Sequence, residues 1–523
     1  MKKFLLSIPL LALAVSAHAV VPNIYAPAFT ATLDKSDVIC AYNLNTEATE
    51  GVTIDVLRGE EVVATYAENL PAAKGENSCT LPLPAGLSGQ FTVRLTVKAA
   101  STADQTEVWA SPLASNNLFT ASQSDDLFSW SRARGIAVDN DPESPFYGNM
   151  YVVGTVGSGR TTANNFSGIF IYDYLLNRTP ATVGYSGGIA YTGNSSPLRA
   201  TIDENHNLVI CDWTSGTRAA AVMNTANPEQ NFDLLLKGSV NGVTTNAAIS
   251  SATITGTGAD RVLWTIDEGT GDPCLIHGYK IGDQTSPWAS VPSYDYGNLD
   301  GLLKDNLNNK GCIISDKKGG LWISQCAKPY IIHMTYEGTV DYQSSTDLIS
   351  ATNKGAIATN NDGSKLLIGT TDEVVVFDVD FNNEITLTKS GSVSTLPLYA
   401  NIWSVAIDGA ENIYAIAQFG NNDTDRNNHP TRPNGIAIAA LPKEDNSYAA
   451  ERTIDIQIPT GAELTAAPSE FSFRNGVVTS SEPAFIYTPS GVCVATGTTI
   501  DTNSFAPGIY IVKAGDKTLK IAK

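Results

Sequence analysis

The stretch NIWSVAIDGAENIYAIAQ, from Asn401 to Gln418, places two short apolar segments on either side of a polar turn. The turn opens at Asp408 and closes at Asn412, and the flanking segments are rich in β-branched and aromatic residues. This composition is typical of a tight antiparallel hairpin. The pattern recurs in four other stretches: RARGIAVDN with GNMYVVGT from Arg132, PLRATIDENHNLVICDW from Pro197, NKGCIISDKKGGLWISQ from Asn309, and NKGAIATNNDGSKLLIGT from Asn353.

The first polar residue of each turn marks the register of a long repeat. These marks are Asp139, Asp203, a weaker copy near Gly258 to Asp260, Asp316, Asn361 and Asp408. They lie roughly 45 to 64 residues apart, close to the length of a four-stranded blade. A third strand follows each hairpin, and four of these strands end near an aromatic residue: Tyr172, Tyr279, Tyr336 and Phe377. The sequence therefore predicts an all-β protein built around a propeller of six blades, with seven as the alternative.

On these hairpins the chain resembles six-bladed β-propellers of the NHL and lactonase-like kind. The resemblance covers about 330 residues and rests on the blade period and the Asp-containing turns. It implies the architecture and says nothing specific about activity.

The beginning of the chain has the layout of a cleaved secretory signal. Two lysines precede an apolar run from Phe4 to Val15, and Ala17-His18-Ala19 supplies small residues for cleavage. No later apolar run approaches the roughly 20 residues that span a bilayer. The sequence predicts a mature chain that starts near Val20 and crosses no membrane.

Two shorter modules flank the predicted propeller. The phrase VVATYAENLPAAKGENSCTLPLPAGLSGQFTVRLTV, from Val62 to Val97, resembles the Ig-like module of flagellar-hook-capping proteins. The predicted organisation is a signal peptide over 1–19, an Ig-like sandwich over 20–117, the propeller over 118–459, a linker over 460–470 and a small C-terminal β-sandwich over 471–523.

The C-terminal segment resembles the type A sorting domain of the type IX secretion system of Bacteroidetes-like bacteria. The likeness is carried by YTPSG from Tyr487, APGIYIVK from Ala506 and KTLKIAK from Lys517. The residues that carry the sorting motif are Gly508, Tyr510, Val512, Lys513, Lys520 and Lys523. The resemblance implies the type IX machinery as a partner, export across both membranes, removal of the tail, and attachment at the surface or release.

Charge and cysteine content exclude several classes of protein. The net charge of −20 at pH 7 disfavours binding to nucleic acid or to an anionic membrane. Seven scattered cysteines lack CxxC spacing, which argues against zinc or a dense disulfide framework. Cys40 and Cys79 could pair within the first module, and the sequence leaves this open.

The candidate ligand site lies where the innermost strands of the propeller begin. Arg134, Arg199, Lys310 and Lys354 occupy nearly equivalent positions there, and Trp403 takes that place in the sixth repeat. Cations converging on one axis would form an anion site for a carboxylate or sulfate. Trp403 and Trp130 could offer a stacking surface for a sugar or a cation. The alternative is that each cation pairs with a neighbouring acid and Trp403 fills the channel.

Other polar residues favour structural roles. The turn acids are explained by hydrogen bonds to the backbone two residues on. His206 and His429 are expected in solvent, and His277 and His333 are expected to pack within strands. Asp423 and Asp425, in the loop from Gly420 to Gly435, are weak calcium candidates, and no cofactor or metal is otherwise predicted.

Three classes of function remain. Because no catalytic motif accompanies the export signals, the leading hypothesis is a secreted, non-catalytic protein that binds a glycan or protein. The alternatives are a propeller enzyme, either lactonase-like or active on polysaccharide, and a structural component of the cell surface or fimbriae.

Overall fold

The computed structural model describes residues 22–103, 109–110, 132–155, 167–178, 184–191, 196–213, 220–236, 249–267, 274–283, 292–303, 311–326, 330–348, 355–370, 373–394, 401–418, 435–456, 472–474, 476–489, 492–514 and 517–522. These residues form β-strands and one 3₁₀ turn, Gly258–Asp260, so the prediction of an all-β fold is confirmed. Within these ranges no helix has the length and apolarity that a membrane crossing requires.

The strands are numbered in chain order. The first six are β1 (Thr30–Asp34), β2 (Asp37–Leu44), β3 (Gly51–Arg58), β4 (Glu61–Tyr66), β5 (Gly75–Pro82) and β6 (Gly89–Lys98). The next are β7 (Trp109–Ala110), β8 (Arg132–Val138), β9 (Met150–Thr155), β10 (Gly168–Tyr172), β11 (Arg199–Ile202), β12 (Leu208–Cys211), β13 (Ala220–Met223), β14 (Asp233–Leu236), β15 (Ile249–Thr255), β16 (Val262–Asp267), β17 (Leu275–Lys280) and β18 (Tyr294–Gly297). Then come β19 (Gly311–Ser315), β20 (Gly320–Gln325), β21 (Ile331–Thr335), β22 (Val340–Gln343), β23 (Ala356–Thr359), β24 (Lys365–Gly369), β25 (Glu373–Asp380), β26 (Thr386–Ser394), β27 (Asn401–Ile407), β28 (Asn412–Gln418) and β29 (Gly435–Ala440). The last are β30 (Ser447–Ile456), β31 (Ser472–Arg474), β32 (Val477–Tyr487), β33 (Cys493–Asp501), β34 (Ile509–Ala514) and β35 (Lys517–Ala522).

Six small antiparallel sheets make the propeller. Blade 1 is β8-β9-β10, blade 2 is β11 to β14, blade 3 is β15 to β18, blade 4 is β19 to β22, and blade 5 is β23 to β26. Blade 6 has the order β27-β28-β29-β7. The first strand of each blade contacts the first strand of the next, and β27 contacts β8, which closes the ring. The described residues therefore form the six blades that the repeat spacing predicts.

The ring is closed by a strand from the opposite end of the propeller sequence. Contiguous repeats predict that the fourth strand of blade 6 follows its third strand, but that position is taken by β7, where Ala110 pairs with Ile438. The strand that does follow, β30, pairs instead with β6. Because β7 precedes blade 1, its hydrogen bonds join the two ends of the propeller segment. The domain boundaries stay a prediction.

The core of the propeller is divided into layers between neighbouring blades. One layer joins Val152 and Tyr172 of blade 1 to Trp403 and Ile416 of blade 6. Similar buried clusters lie between each of the other pairs of neighbouring blades. The aromatic residues near the ends of the third strands pack toward the preceding blade of the ring: Tyr172, Tyr279 and Phe377 are buried there, and Tyr336 is partly buried at the edge of its layer.

Hydroxyl groups link the innermost strands of adjacent blades. Ile136 N–H donates to Ser404 Oγ at 3.1 Å, and Ile313 N–H donates to Ser251 Oγ at 3.1 Å. Thr201 Oγ1 donates to the Ala252 carbonyl at 3.0 Å. A first strand carries its in-blade hydrogen bonds on one edge only, so these contacts satisfy backbone groups on its other edge.

The N-terminal module consists of β1 to β6 together with β30, in two sheets with the orders β1-β2-β5 and β30-β6-β3-β4. Its β6 strand alternates as its sequence predicts: Phe91, Val93, Leu95 and Val97 are buried, and the residues between them are partly exposed.

A buried network of asparagines joins this module to blade 6. Asn23 N–H donates to Asn412 Oδ1 at 2.8 Å, and Asn412 Nδ2 donates back to the Asn23 carbonyl at 3.0 Å. Asn45 Nδ2 donates to the same carbonyl at 2.9 Å, and Ile24 N–H donates to Asn446 Oδ1 at 2.8 Å. The N-terminal segment is thus hydrogen-bonded to both structures, and module and propeller belong to one compact unit, Met1–Ala85 with Phe91–Ile454.

The second compact unit comprises Gly86–Gln90 and Asp455–Lys523. Its strands have the order β31-β32-β34-β35, and β33 pairs with β32. One face is apolar and buried, with Val478, Ile486, Val512 and Ile521 at its centre. This unit therefore has a core of its own.

Candidate functional site: the central channel of the propeller

At the start of the innermost strands, three of the six predicted site residues come together. Arg134 stacks on Trp403 with its guanidinium carbon 4.1 Å from the ring centroid. Arg199 Nη1 donates to the Trp403 carbonyl at 2.7 Å. The residues belong to blades 1, 2 and 6, and each is less than a tenth exposed. We call this arrangement the start end of the channel.

Three of the residues that the sequence analysis grouped at this position therefore lie together. Trp403 contributes its ring to the apolar layer between blades 6 and 1. Lys310, Lys354 and Trp130 lie outside the described residues. The ligand-binding role of the set stays a prediction.

A central cavity of about 530 Å³ extends from Arg199 along the first strands to the turns that follow them. Ile136, Ala200, Ile314, Ile357 and Val405 contribute apolar surface to its wall. Apart from Arg199, the charged side chains that line the cavity belong to these turns: Asp139, Asp141, Asp203, Glu204, His206 and Lys317. We call the part of the cavity beside these turns the turn end of the channel.

The turn acids hold the hairpins through one carboxylate oxygen, as the sequence predicts. Asp203 Oδ1 accepts hydrogen bonds from Asn205 N–H at 2.9 Å and Asn207 N–H at 2.8 Å. Asp316 Oδ1 accepts three such bonds, the shortest from Lys318 N–H at 2.7 Å. The local spacing of an Asp-initiated turn is sufficient to produce this geometry.

The second oxygen of the turn acids differs from blade to blade. In Asp316 it lies 2.8 Å from His333 Nε2, whose Nδ1 lies 2.6 Å from Asp341 Oδ1. In Asp408 it accepts from Asn412 Nδ2 at 2.8 Å and from Tyr414 OH at 2.9 Å. In both carboxylates, therefore, each of the two oxygens has a hydrogen-bond partner within the protein.

Asp203 is the exception. It lines the cavity and is only 2 % exposed, yet no hydrogen-bond donor among the described residues reaches its Oδ2. Arg261 Nη2 lies 3.7 Å away, within ion-pair distance but beyond hydrogen-bond length. Burial raises the pKa of the Asp203 carboxyl. A buried carboxylate oxygen without a donor is costly, so this atom is suited to accept a hydrogen bond from a ligand or a water molecule.

His206 lies beside two more acids at the turn end of the channel. Its Nδ1 is 3.7 Å from Asp139 Oδ2 and its Nε2 is 3.9 Å from Asp141 Oδ2. Asp139 Oδ2 also accepts from Ser144 Oγ at 2.6 Å, and burial raises the pKa of this carboxyl. His206 is partly buried at the cavity rather than wholly in solvent. This group was not predicted from the sequence, and the dense polar turn DENHN, Asp203 to Asn207, is the sequence feature that could have indicated it.

Of the other residues considered in the sequence, the structure describes two. His277 and His333 are packed within third strands, as expected. His429, Asp423 and Asp425 lie outside the described residues. Among the ranges that the structure describes, no group of three or more His, Cys, Asp or Glu side chains is arranged to hold a metal ion.

Comparison with protein families finds no matching family, and comparison with curated proteins finds no similar sequence. The chain is similar to several solved structures. The extracellular domain of a hybrid two-component system of B. thetaiotaomicron is 12 % identical over 95 % of this chain and 68 % of that one, with a TM-score of 0.34. A calcium-binding protein, regucalcin, of Agrobacterium tumefaciens is 9 % identical over 61 % of this chain and 94 % of that one, with a TM-score of 0.34.

A third similar structure is the Aleuria aurantia lectin in complex with α-methyl-L-fucoside. It is 10 % identical over 59 % of this chain and 93 % of that one, with a TM-score of 0.32. At these scores no ligand or activity is carried over to this chain.

Proposed function

We propose that the protein is an exported binding protein without catalysis, and that the turn end of its channel binds the terminal residue of a neutral glycan. The observation that carries the proposal is Asp203 Oδ2, a buried acceptor in the cavity wall without a donor among the described residues. A sugar hydroxyl is a donor of the right kind, and a hydrogen bond to a charged acceptor contributes about 1.5 to 3 kcal/mol.

Size and charge support this ligand class. A cavity of about 530 Å³ falls in the range of small-molecule sites, roughly 300 to 1,000 Å³. At the turn end, acidic groups outnumber basic ones: the acids are Asp139, Asp141, Asp203 and Glu204, and the basic groups are His206 and Lys317. This excess disfavours an anionic ligand there and leaves hydroxyl donors acceptable.

The proposed route to the cell exterior rests on the sequence. The N-terminal signal would carry the chain across the inner membrane, and the C-terminal segment would direct it across the outer membrane through the type IX machinery. The separate core of the second unit is consistent with a tail that is removed after export. The Ig-like module would then stay joined to the propeller, whether the protein is attached to the cell surface or released. Deleting 471–523 should leave the protein in the periplasm, and its detection outside the cell would contradict this route.

The binding proposal is tested with the purified mature protein on an array that carries neutral, carboxylated and sulfated glycans. We expect retention of neutral glycans. A preference for anionic glycans would instead support the site predicted at Arg134 and Arg199, and turnover of any glycan would support an enzyme.

The matched variant is Asp203→Asn, which keeps Oδ1 for the turn and replaces the open acceptor with an amide N–H₂. We expect the affinity for the retained glycan to fall about tenfold to a hundredfold in calorimetry. Asp408→Asn changes the equivalent turn position of blade 6, where Asp408 does not line the cavity, and should leave the affinity unchanged. Equal binding by the Asp203→Asn variant and the wild type would contradict the proposal.

A further inference from the structure

A pair of cysteines lies directly opposite on two adjacent strands of the N-terminal module. In the antiparallel pair β2 and β5, the register places Cys40 against Cys79. Residues directly opposite each other in such a ladder have Cα atoms about 4.5 to 5.5 Å apart. That distance falls within the roughly 4.4 to 6.8 Å that a disulfide requires. Both residues are free thiols in the structure.

We propose that Cys40 and Cys79 form a disulfide in the exported protein, and that this bond pins the edge strand β5 to the module. In the sheet order β1-β2-β5, the described neighbour of β5 is β2 alone. A covalent bond across the middle of this ladder would prevent the edge strand from separating. An exported protein meets the oxidising conditions in which disulfides persist.

The surroundings of the two thiols differ in a way that suits exchange. Cys40 is fully buried, whereas Cys79 is partly exposed. A hydrogen bond between the two thiols lowers the pKa of Cys79 and raises that of Cys40. Cys79 is therefore the sulfur that an oxidant can reach and the one that ionises first.

The reaction needs an external disulfide, either oxidised glutathione or the disulfide of a thiol oxidoreductase. The Cys79 thiolate attacks one sulfur of that disulfide and forms a mixed disulfide, and the released thiolate takes a proton. The Cys40 thiolate then attacks the Cys79 sulfur and breaks the mixed bond. The oxidant leaves as two thiols, and the two protons lost by the cysteines end on them.

The remaining five cysteines do not share this arrangement in the described register. Cys211, Cys274, Cys312 and Cys326 are buried in the propeller, and Cys493 is exposed in the second unit. They serve as internal references, because each should stay a thiol under mild oxidation. Because the other five should stay thiols, the number of alkylated cysteines shows whether one disulfide has formed.

The test is alkylation of the purified chain with its C-terminal segment 471–523 retained, under denaturing conditions after incubation with oxidised glutathione, followed by intact mass measurement. The chain contains seven cysteines, so five alkylated residues are expected after oxidation and seven after reduction. Peptide mapping without reduction should recover one linked pair that contains Cys40 and Cys79. Alkylation of all seven after oxidation, or a link from Cys79 to another cysteine, would overturn the proposal.

Two variants separate the bond from a general effect of oxidation. Cys79→Ser removes the partly exposed partner and should give six alkylated cysteines after oxidation, because Cys40 then has no partner. Cys493→Ser removes the exposed reference and should give four, because the pair is intact. A Cys79→Ser protein that alkylates at four positions would show a different disulfide and contradict the assignment.

Discussion

The two ends of the propeller channel both contain charged residues but use them differently. At the start end, Arg134 and Arg199 are brought from two blades onto one residue of a third, Trp403. At the turn end, one oxygen of Asp203 accepts hydrogen bonds within its own hairpin, and the other has no donor among the described residues. Residue type alone suggests a ligand at the start end, whereas our proposal places one at the turn end because of the Asp203 oxygen without a donor among the described residues.

The difference teaches that a charged side chain must be judged by which of its atoms the protein already uses. Asp203, Asp316 and Asp408 occupy equivalent turns and look alike in sequence. The second oxygen of Asp203 is buried without a donor among the described residues, 3.7 Å from Arg261, whereas those of Asp316 and Asp408 are hydrogen-bonded to a histidine and a tyrosine. Four predictions break or sharpen this comparison.

The largest effect is expected at the start end. Trp403→Ala should cost about 3 to 5 kcal/mol of unfolding free energy, because the ring fills the layer between blades 6 and 1 and lies under Arg134. Denaturant unfolding of the mature protein measures this loss. Trp403→Phe keeps an aromatic face for Arg134 and should lose less. Where the alanine variant still folds, it should retain the glycan affinity that Asp203→Asn loses; the reverse pattern would place the ligand at the start end.

The second effect concerns Asp408, whose carboxylate is enclosed by the protein. Burial raises the pKa of Asp408 to about 6 from an ordinary value of 3.8. The folded state therefore binds a proton more tightly than the unfolded state, and the cost of burying the charge is relieved as the pH falls from 7 to 4. The relief should be on the order of 3 kcal/mol. Unfolding measured across this range should show it in the wild type relative to Asp408→Asn, and parallel pH profiles for the two proteins would refute it.

The third effect concerns the turn of blade 4. Burial opposes the charged form of His333, but its bonds to Asp316 and Asp341 raise the pKa of the imidazole overall. Burial also opposes ionisation of Asp316, and the bonds from His333 and the backbone lower the pKa of that carboxyl overall. The imidazole contribution is lost as the pH rises through the raised pKa of His333, and the carboxylate contribution is lost as the pH falls through the lowered pKa of Asp316.

His333→Gln should therefore cost most between roughly pH 4 and 6.5, by about 2 kcal/mol. Thermal unfolding at a series of pH values measures the difference from the wild type. A cost that stayed constant up to pH 9 would mean that His333 acts through packing alone. Glycan affinity should not change, since both oxygens of the Asp316 carboxylate are hydrogen-bonded within the protein.

The smallest effect lies in the wall between the two ends. Ser404 Oγ accepts from Ile136 N–H and donates to the Ile136 carbonyl, which links blade 6 to blade 1. Ser404→Ala should cost about 1 kcal/mol by denaturant unfolding. The exposed Ser345→Ala is the control, with a change close to zero. Equal effects of the two substitutions would show that the link contributes nothing to ring closure.

Much of the fold follows from short stretches of sequence. The strand, Asp turn and strand pattern at Asp408 and Asp203 predicts hairpins because their bonds join residues only two to four positions apart. The spacing of these turns predicts the six blades, and the alternation from Phe91 to Val97 predicts one buried face of β6. The candidate site was harder to predict, since the sequence drew attention to the cations at Arg134 and Arg199.

The sequence by itself determined the all-β class, the number of repeats and the hairpin role of the turn acids, because each depends on local periodicity and local hydrogen bonds. Only the tertiary structure decided that β7 closes the ring, that Asn23 joins the module to blade 6, and that one oxygen of Asp203 is buried without a donor among the described residues. These features depend on which residues meet across the fold, and pairs such as Asn23 and Asn412 are 389 positions apart in sequence. A pattern within one strand or turn contains no information about such a partner.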